Sequence, residues 1–403
     1  MNIKEVKSVM GKWLLVEDDR VVDVCMGTVI ANLIPGESTN IYIVGPPSSG
    51  KSEIIRSLGA FCRVQEVSSL TSNTLVSGWA NQTNSKRHKP SLILKMKEAG
   101  KMIIALKDFT SIMTLRHESR NEILSQIREI ADGKYSKTYG TGEEVSWEGK
   151  VGFIAGVTSV IDEFYSNNQI LGERFLFYRI DNHIHPLVLA EHGQRMAGHE
   201  SQMREEIENV VRDFLSQFDN TECNSVELSE KMAAKIRNLV CLVAGFRSGV
   251  SRDRYTGAYS YIPQVEAPPR LSKQFTQLAA GIALAKGMGE ISDEVFRVIR
   301  KVGWDTIPAI RKKIILTVHR SGKPEIAAHE ISNLAQMPIA TVHQNLDDLM
   351  SLGCMVREER VRMKHLWSIN PMYKSFIDEI GEDEIESITY KDEVKYEDYV
   401  VEG

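Results

Sequence analysis

The stretch Asn40-Ile-Tyr-Ile-Val44-Gly45-Pro-Pro-Ser-Ser-Gly50-Lys51-Ser52 decides how the rest of the chain is read. A short apolar run closed by a glycine suits a buried strand. Gly45, Pro46, Pro47, Ser48, Ser49, Gly50, Lys51 and Ser52 then match G-x-x-x-x-G-K-[ST] in full, and a helical stretch follows over Ser52–Leu58. The chemistry requires this order. Glycines let the backbone wrap a phosphate closely, and N–H groups at a helix N-terminus point at the anion. A lysine at the loop's end reaches the β- and γ-phosphates, and the next hydroxyl ligates Mg²⁺. The spacing therefore predicts ATP and Mg²⁺ as cofactors, with Lys51 on the phosphates and Ser52 on the metal.

A nucleotide site of this kind needs a second strand that ends in an acid. Gly100-Lys-Met-Ile-Ile-Ala-Leu-Lys-Asp108 supplies one, with Asp108 placed to hold the Mg²⁺ water shell. The same stretch also reads as plain core with Asp108 as a cap. Phe109 follows, so the attacking water needs another acid, for which Glu118 and Glu122 are candidates, or hydrolysis is slow.

Working outward, three regions emerge. Residues 1–185 alternate strand-like and helical runs, with strands expected at Ile41–Val44, Met102–Leu106 and Val151–Ala155. Residues 186–289 look helical throughout. Residues 290–372 hold helical patterns at Ile310–Arg320, Ala327–Ala335 and Ile339–Leu352, then a strand-like pair, Cys354–Glu358 and Lys364–Ile369. Pro338 before the third helix and Gly353 after it act as start and stop signals. Residues 373–403 read as an acidic C-terminal tail. From Phe376 to Gly403 eleven acids face two lysines, a net of −9, whereas the whole chain carries −5. The remainder is thus mildly basic, and the tail reads either as a solvated terminus or as a segment that competes with DNA for basic surface or docks a partner.

The composition excludes some classes. Of the 403 residues, 42% are hydrophobic and 26% charged, an ordinary globular balance. No apolar run approaches the roughly 20 residues that span a bilayer, and the first residues lack the apolar stretch of a secretory leader. Cys25, Cys62, Cys223, Cys241 and Cys354 are scattered without metal-ligand spacing, as in reduced thiols of a cytoplasmic protein.

The strings Lys107-Asp-Phe-Thr-Ser111, Gly172-Glu-Arg-Phe-Leu176 and Pro269-Arg-Leu271, with the phosphate loop, resemble helicase-like AAA+ ATPases of bacteria, phages and mobile elements. These are similar in plan to minichromosome-maintenance helicases and to enhancer-binding transcription activators. The resemblance spans roughly residues 20–370. It implies an α/β fold, a P-loop AAA+ parallel-sheet domain with a helical lid, followed by a winged-helix domain. It further implies that Thr158, closing the run Val151–Thr158, is a polar sensor of the γ-phosphate. Arg174 matches an arginine finger that reaches a neighbouring subunit's site, with Arg179 as fallback, and Arg270 matches a second sensor arginine. The plain alternatives are a strand cap for Thr158 and surface or helix-end roles for the arginines.

Between Asp108 and Thr158, the run Lys134–Glu148 places β-prone residues around Gly140-Thr-Gly142, a hairpin signal. The resembling families insert a hairpin here that projects into a central channel. Lys134 and Lys137 are thus expected to meet a DNA backbone, unless the hairpin merely packs on the domain. Ser69–Pro90, with Trp79, Lys86 and Arg87, is a second candidate contact or else a solvated loop. Arg247–Arg254 is also basic, with no assigned contact. In the C-terminal region, Arg357, Arg360, Arg362 and Lys364 suit a basic wing, while the third helix is expected to expose Thr341, His343, Gln344, Asn345, Asp347 and Asp348, a weak base-reading face.

The expectation is an ATP-hydrolysing hexameric ring that threads DNA as a replicative helicase or helicase loader of a phage or mobile element. Its partners would be DNA, further copies of itself and a replication or regulatory protein, with no membrane. The alternative is an ATP-dependent assembly switch that remodels or recruits a protein partner.

Overall fold

The apolar runs pair as one parallel sheet in a computed structural model that describes residues 1–71, 73–75, 91–138, 144–167, 174–181, 183–219, 226–253, 255–358 and 365–382. Two helices, α1 (Ile3–Trp13) and α2 (Arg20–Leu33), precede β1 (Ile41–Val44), α3 (Lys51–Leu58) and β2 (Val64–Val67). Next come α4 (Leu92–Glu98), β3 (Ile103–Leu106), α5 (Thr110–Met113), α6 (His117–Ala131) and a hairpin of β4 (Lys134–Thr138) and β5 (Glu144–Glu148). The α/β part closes with β6 (Gly152–Val157), α7 (Val160–Asn167) and β7 (Leu176–Arg179). Four helices follow: α8 (Pro186–Met196), α9 (Glu200–Ser216), α10 (Glu230–Arg247) and α11 (Pro269–Ala285).

The sheet order is β2-β3-β6-β1-β7, with every pairing parallel. Such strands are buried on both faces and read as continuous apolar runs, and all four residues of β1 and of β3 are buried. The third expected strand runs on to Val157, which leaves Thr158 just beyond its end. On one face, α11 crosses α2 in backbone contact. A Cβ on Gly281 would lie 2.1 Å from the Gly27 carbonyl oxygen, and one on Gly27 would lie 2.4 Å from Ile282.

The C-terminal part starts with α12 (Asp293–Thr306) and α13 (Ala309–Arg320). Then come β8 (Ile326–Ala327), α14 (Ala328–Ala335), α15 (Ile339–Ser351), β9 (Met355–Glu358), β10 (Leu366–Ile369) and α16 (Pro371–Ile380). Three strands form an antiparallel sheet in the order β8-β10-β9. Of Ile331, Leu334, Val342, Leu346 and Leu349, whose helical spacing reads as core, four are buried, whereas Leu334 is 62% exposed on the outer side of α14.

Helix α12 covers the β7 edge of the parallel sheet. Its last turn takes the outward N–H groups of β7: Phe177 donates to Thr306 Oγ1 at 3.0 Å and Arg179 to Asp305 Oδ2 at 2.8 Å. A sheet edge covered in this way offers no template for another strand. Asp305 is fully buried and also accepts from Lys312 at 2.9 Å, with Lys301 at 3.1 Å. Burial alone would raise its carboxyl, but the two ammonium groups outweigh burial and hold it at about 2. The apolar core is continuous from α1 and α2 through α9–α12 into α13, α15 and α16.

The acidic residues 383–403, the wing residues Arg360, Arg362 and Lys364, and Lys86, Arg87, Cys223 and Arg254 lie outside the described residues. The four described cysteines are free, and no described helix is long and apolar enough to cross a membrane.

Candidate functional site

The Gly45–Ser52 loop leaves the C-terminal end of β1, between the tips of β6 and β7. In open parallel sheets this crevice is where ligands bind. Gly50 adopts a left-handed φ of 77°, which a glycine tolerates, and Ser48 one of 63°, which costs a side-chain-bearing residue some strain. That backbone turns Lys51 into the first position of α3, where its buried ammonium bends back across the loop and donates to the Pro46 carbonyl at 2.8 Å. Burial pushes the Lys51 ammonium down, and the charge of Asp108 acts in the opposite direction. Beside it, the Ser49 hydroxyl is buried with no hydrogen-bond partner among the described residues. A buried orphan hydroxyl, a lysine folded into the loop and the first N–H groups of a helix are together suited to an oxyanion.

The neighbouring strand tips are stitched to this loop. Gly45 donates to the Val157 carbonyl at 3.1 Å, Phe109 to the Gly156 carbonyl at 2.7 Å, and Thr158 to Thr110 Oγ1 at 3.1 Å. Asp108 is exposed just past β3, its carboxylate accepting from the Thr110 N–H at 2.9 Å. Lys51, Ser52, Asp108 and Thr158 are therefore gathered at one end of the sheet, as their sequence positions suggest. Thr110, which fixes Thr158, was not singled out in the sequence. Phe109 is core, packed with tilted rings against Tyr42 (4.8 Å between centroids) and Phe175. Of the acids considered in its place, Glu118 lies in the first turn of α6 and Glu122 pairs with Lys137 at 3.2 Å.

A second component is absent from the motif list. A cavity of about 550 Å³ adjoins the loop, walled by Trp13–Val16, by Pro46–Gly50 and by Ile184, Pro186, Leu189 and Met196 at α8. Its mostly apolar wall, with the backbone of an irregular segment at Leu14–Val16, suits a flat heterocycle. The signal was weak because these residues come from three separate segments.

Arg174 and Arg270 lie elsewhere. With Lys150 they line a cavity of about 330 Å³ beside Ser38 and Asn40, at the N-terminal end of β1. The strand puts roughly 13 Å between the two ends, so neither arginine serves the loop of its own chain. Arg174 is clamped by Asp132 through two hydrogen bonds of 3.1 and 2.8 Å. Its carbonyl accepts from Asn40 at 3.2 Å and from Gln274 at 2.8 Å. The fallback Arg179 lies at the sheet edge, on β7. It is held by Asp162 through two bonds of 2.7 Å and by the Asp305 carbonyl, as part of the sheet-edge packing.

The hairpin stands between α6 and β6 as expected. Tyr135 and Trp147 face each other across it and are buried at its base, whereas Lys134 is exposed and Lys137 is half-buried beside Glu122. One expectation for α15 fails. Asp348 is buried, bonded to Arg252 at 2.8 Å with Arg311 nearby, and Asp347 pairs with Arg357 at 3.8 Å. The basic run at Arg247–Arg254 supplies that partner, and Arg247 itself is buried against Glu266. The outward face of α15 consists of Ile339, Ala340, His343 and Gln344.

A scan against protein-family models and a search of curated proteins return no match to the chain.

Proposed function

We propose that the chain is an ATPase of AAA+ plan whose active sites form between copies of itself, and that it acts on DNA. The observation that carries this reading is the division of labour across the sheet, with a phosphate loop at one end and two arginines in a cavity at the other. An arginine 13 Å or so of strand away from its own loop serves a loop only in a neighbouring copy. A head-to-tail contact of that kind builds a ring where the rotation between copies closes.

In this reading Lys51 and the α3 N-terminus bind the phosphates, and the apolar cavity takes the base. Ser52 and Asp108 fit a Mg²⁺ ion, which would draw charge from the phosphate oxygens when bound. Thr158, positioned by Thr110, orients the terminal phosphate or the water. Arg174 from the neighbour stabilises charge on the transferred phosphoryl group, an effect worth about 10³–10⁵ in rate where such fingers occur. Water's oxygen bonds to the terminal phosphorus, the bond to the bridging oxygen breaks, and the proton leaves to solvent or phosphate.

Support for DNA comes from the exposed Lys134 on the hairpin and from the C-terminal unit. The order α13-β8-α14-α15-β9-β10 matches the one expected of a winged helix, and of the two α15 acids Asp348 is buried while the half-exposed Asp347 pairs with Arg357, which weakens the objection from their charge. The buried Phe109 favours a second reading, an ATP-dependent assembly switch with slow turnover that recruits or remodels a protein partner.

The test is the ATPase rate with and without single- and double-stranded DNA, beside Lys51→Ala. The DNA-motor reading expects severalfold stimulation by DNA and a loss of about 100-fold or more in the variant. A rate indifferent to DNA favours the switch, and no ATP binding at all defeats both.

A further inference from the structure

Lys150 lies in the connection between β5 and β6 and lines the same cavity as Arg174 and Arg270. Its ammonium donates to the carbonyls of Ala31 at 3.1 Å and Ile34 at 2.7 Å, at the end of α2. An ammonium has three N–H donors, and these carbonyls use two. The charged groups that face it are Glu37, Asp132, Arg174 and Arg270. Both acids are engaged elsewhere, Glu37 with Lys273 and Asp132 with Arg174. Among the described residues no carboxylate pairs with Lys150. Burying a cation without a counter-ion is costly, and burial pushes this ammonium down to about 8. The wall therefore carries a half-buried ammonium that has carbonyl partners and no carboxylate, beside Arg270 and the Asp132-paired Arg174, in a space of about 330 Å³. Such a wall lacks an anion with concentrated charge.

We propose that Lys150, with Arg174 and Arg270, forms a phosphate site, and that the phosphate is the terminal one of a nucleotide held by a second copy. The identity of that source rests on the functional reading above, whereas the phosphate chemistry does not. Lys150 thereby makes the shared site sensitive to pH. Its ammonium is charged below about pH 8, and a bound anion favours the charged form, so the loss of binding falls at or above that pH.

The test uses the full chain carrying Lys51→Met, so that the phosphate loop is disabled, and reads the rise in unfolding temperature on adding inorganic phosphate. Near pH 7 phosphate should stabilise this protein. Adding Lys150→Met should raise the phosphate concentration needed by about tenfold, the worth of one charge-assisted hydrogen bond. Near pH 9.5 the parent should resemble Lys150→Met, whereas Lys150→Arg keeps its charge and its response. No phosphate response, or the same response in the parent and in Lys150→Met, overturns the proposal. A purely structural Lys150, capping α2, would change the unfolding temperature without changing the phosphate response. The source is read from the ATPase pH profile of the otherwise natural chain. A neighbour's nucleotide predicts an alkaline limb that Lys150→Arg moves upward. An unmoved limb beside a Lys150-dependent phosphate response assigns the cavity to free phosphate. A chain that never hydrolyses ATP defeats the functional reading and leaves the phosphate result standing.

Discussion

Phe109 occupies the position where packing and hydrolysis make opposite demands. Its ring fills an aromatic cluster with Tyr42, Phe153, Phe175 and Phe177, with Tyr42 and Phe175 stacked at 4.2 Å. A carboxylate there would be buried without a partner. Phe109→Glu is therefore expected to cost about 3–5 kcal/mol of stability and to leave ATP hydrolysis no faster. Urea unfolding beside steady-state ATPase checks this, and a stable variant with a faster rate would contradict it. At this scale, the loop residues were legible because glycine, lysine and serine at fixed spacing have one chemical use. Thr110 and the Trp13–Val16 wall were not, since a single threonine and a dispersed apolar wall carry no spacing signal. Asp348 was misread as exposed because helical position alone does not reveal an arginine arriving from a distant loop.

Elements were legible where periodicity or punctuation was strong. The strands β1, β3 and β6 are bounded by glycine or polar residues, and α14 and α15 show regular apolar spacing. The edge strand β7 escaped notice, since Phe175–Arg179 also ends a basic motif and its outer partner is a helix turn. Crossing of α2 and α11 was equally hidden, because a glycine inside a helix reads as a weak point until its neighbour is known. Here Gly281 permits backbone contact, and any Cβ would strike the Gly27 carbonyl. Gly281→Ala should lower the unfolding free energy by about 1–3 kcal/mol through overpacking, despite alanine's better helix propensity. Chemical denaturation is the check, and an unchanged or raised stability would mean that the helices separate freely.

At the scale of the molecule, the two cavities divide the chemistry. β1 follows directly on Asn40, which holds the carbonyl of Arg174, and ends at the phosphate loop. One short, fully buried strand thus joins the two halves of different sites. Asp305 ties this sheet to α13 and the C-terminal unit through Lys312 and Arg179. Sequence order alone did not place the arginines opposite the loop. That follows from the sheet topology, which sets the direction of every strand.

The most direct measurement mixes two inactive chains. Lys51→Ala removes the loop lysine and keeps the arginine cavity, and Arg174→Ala does the reverse. A site shared between copies predicts that each variant alone is inactive and that the mixture recovers a substantial fraction of the natural ATPase rate, with activity rising with protein concentration. A mixture no more active than its components, although each chain binds ATP or assembles as the natural protein does, would contradict the shared site.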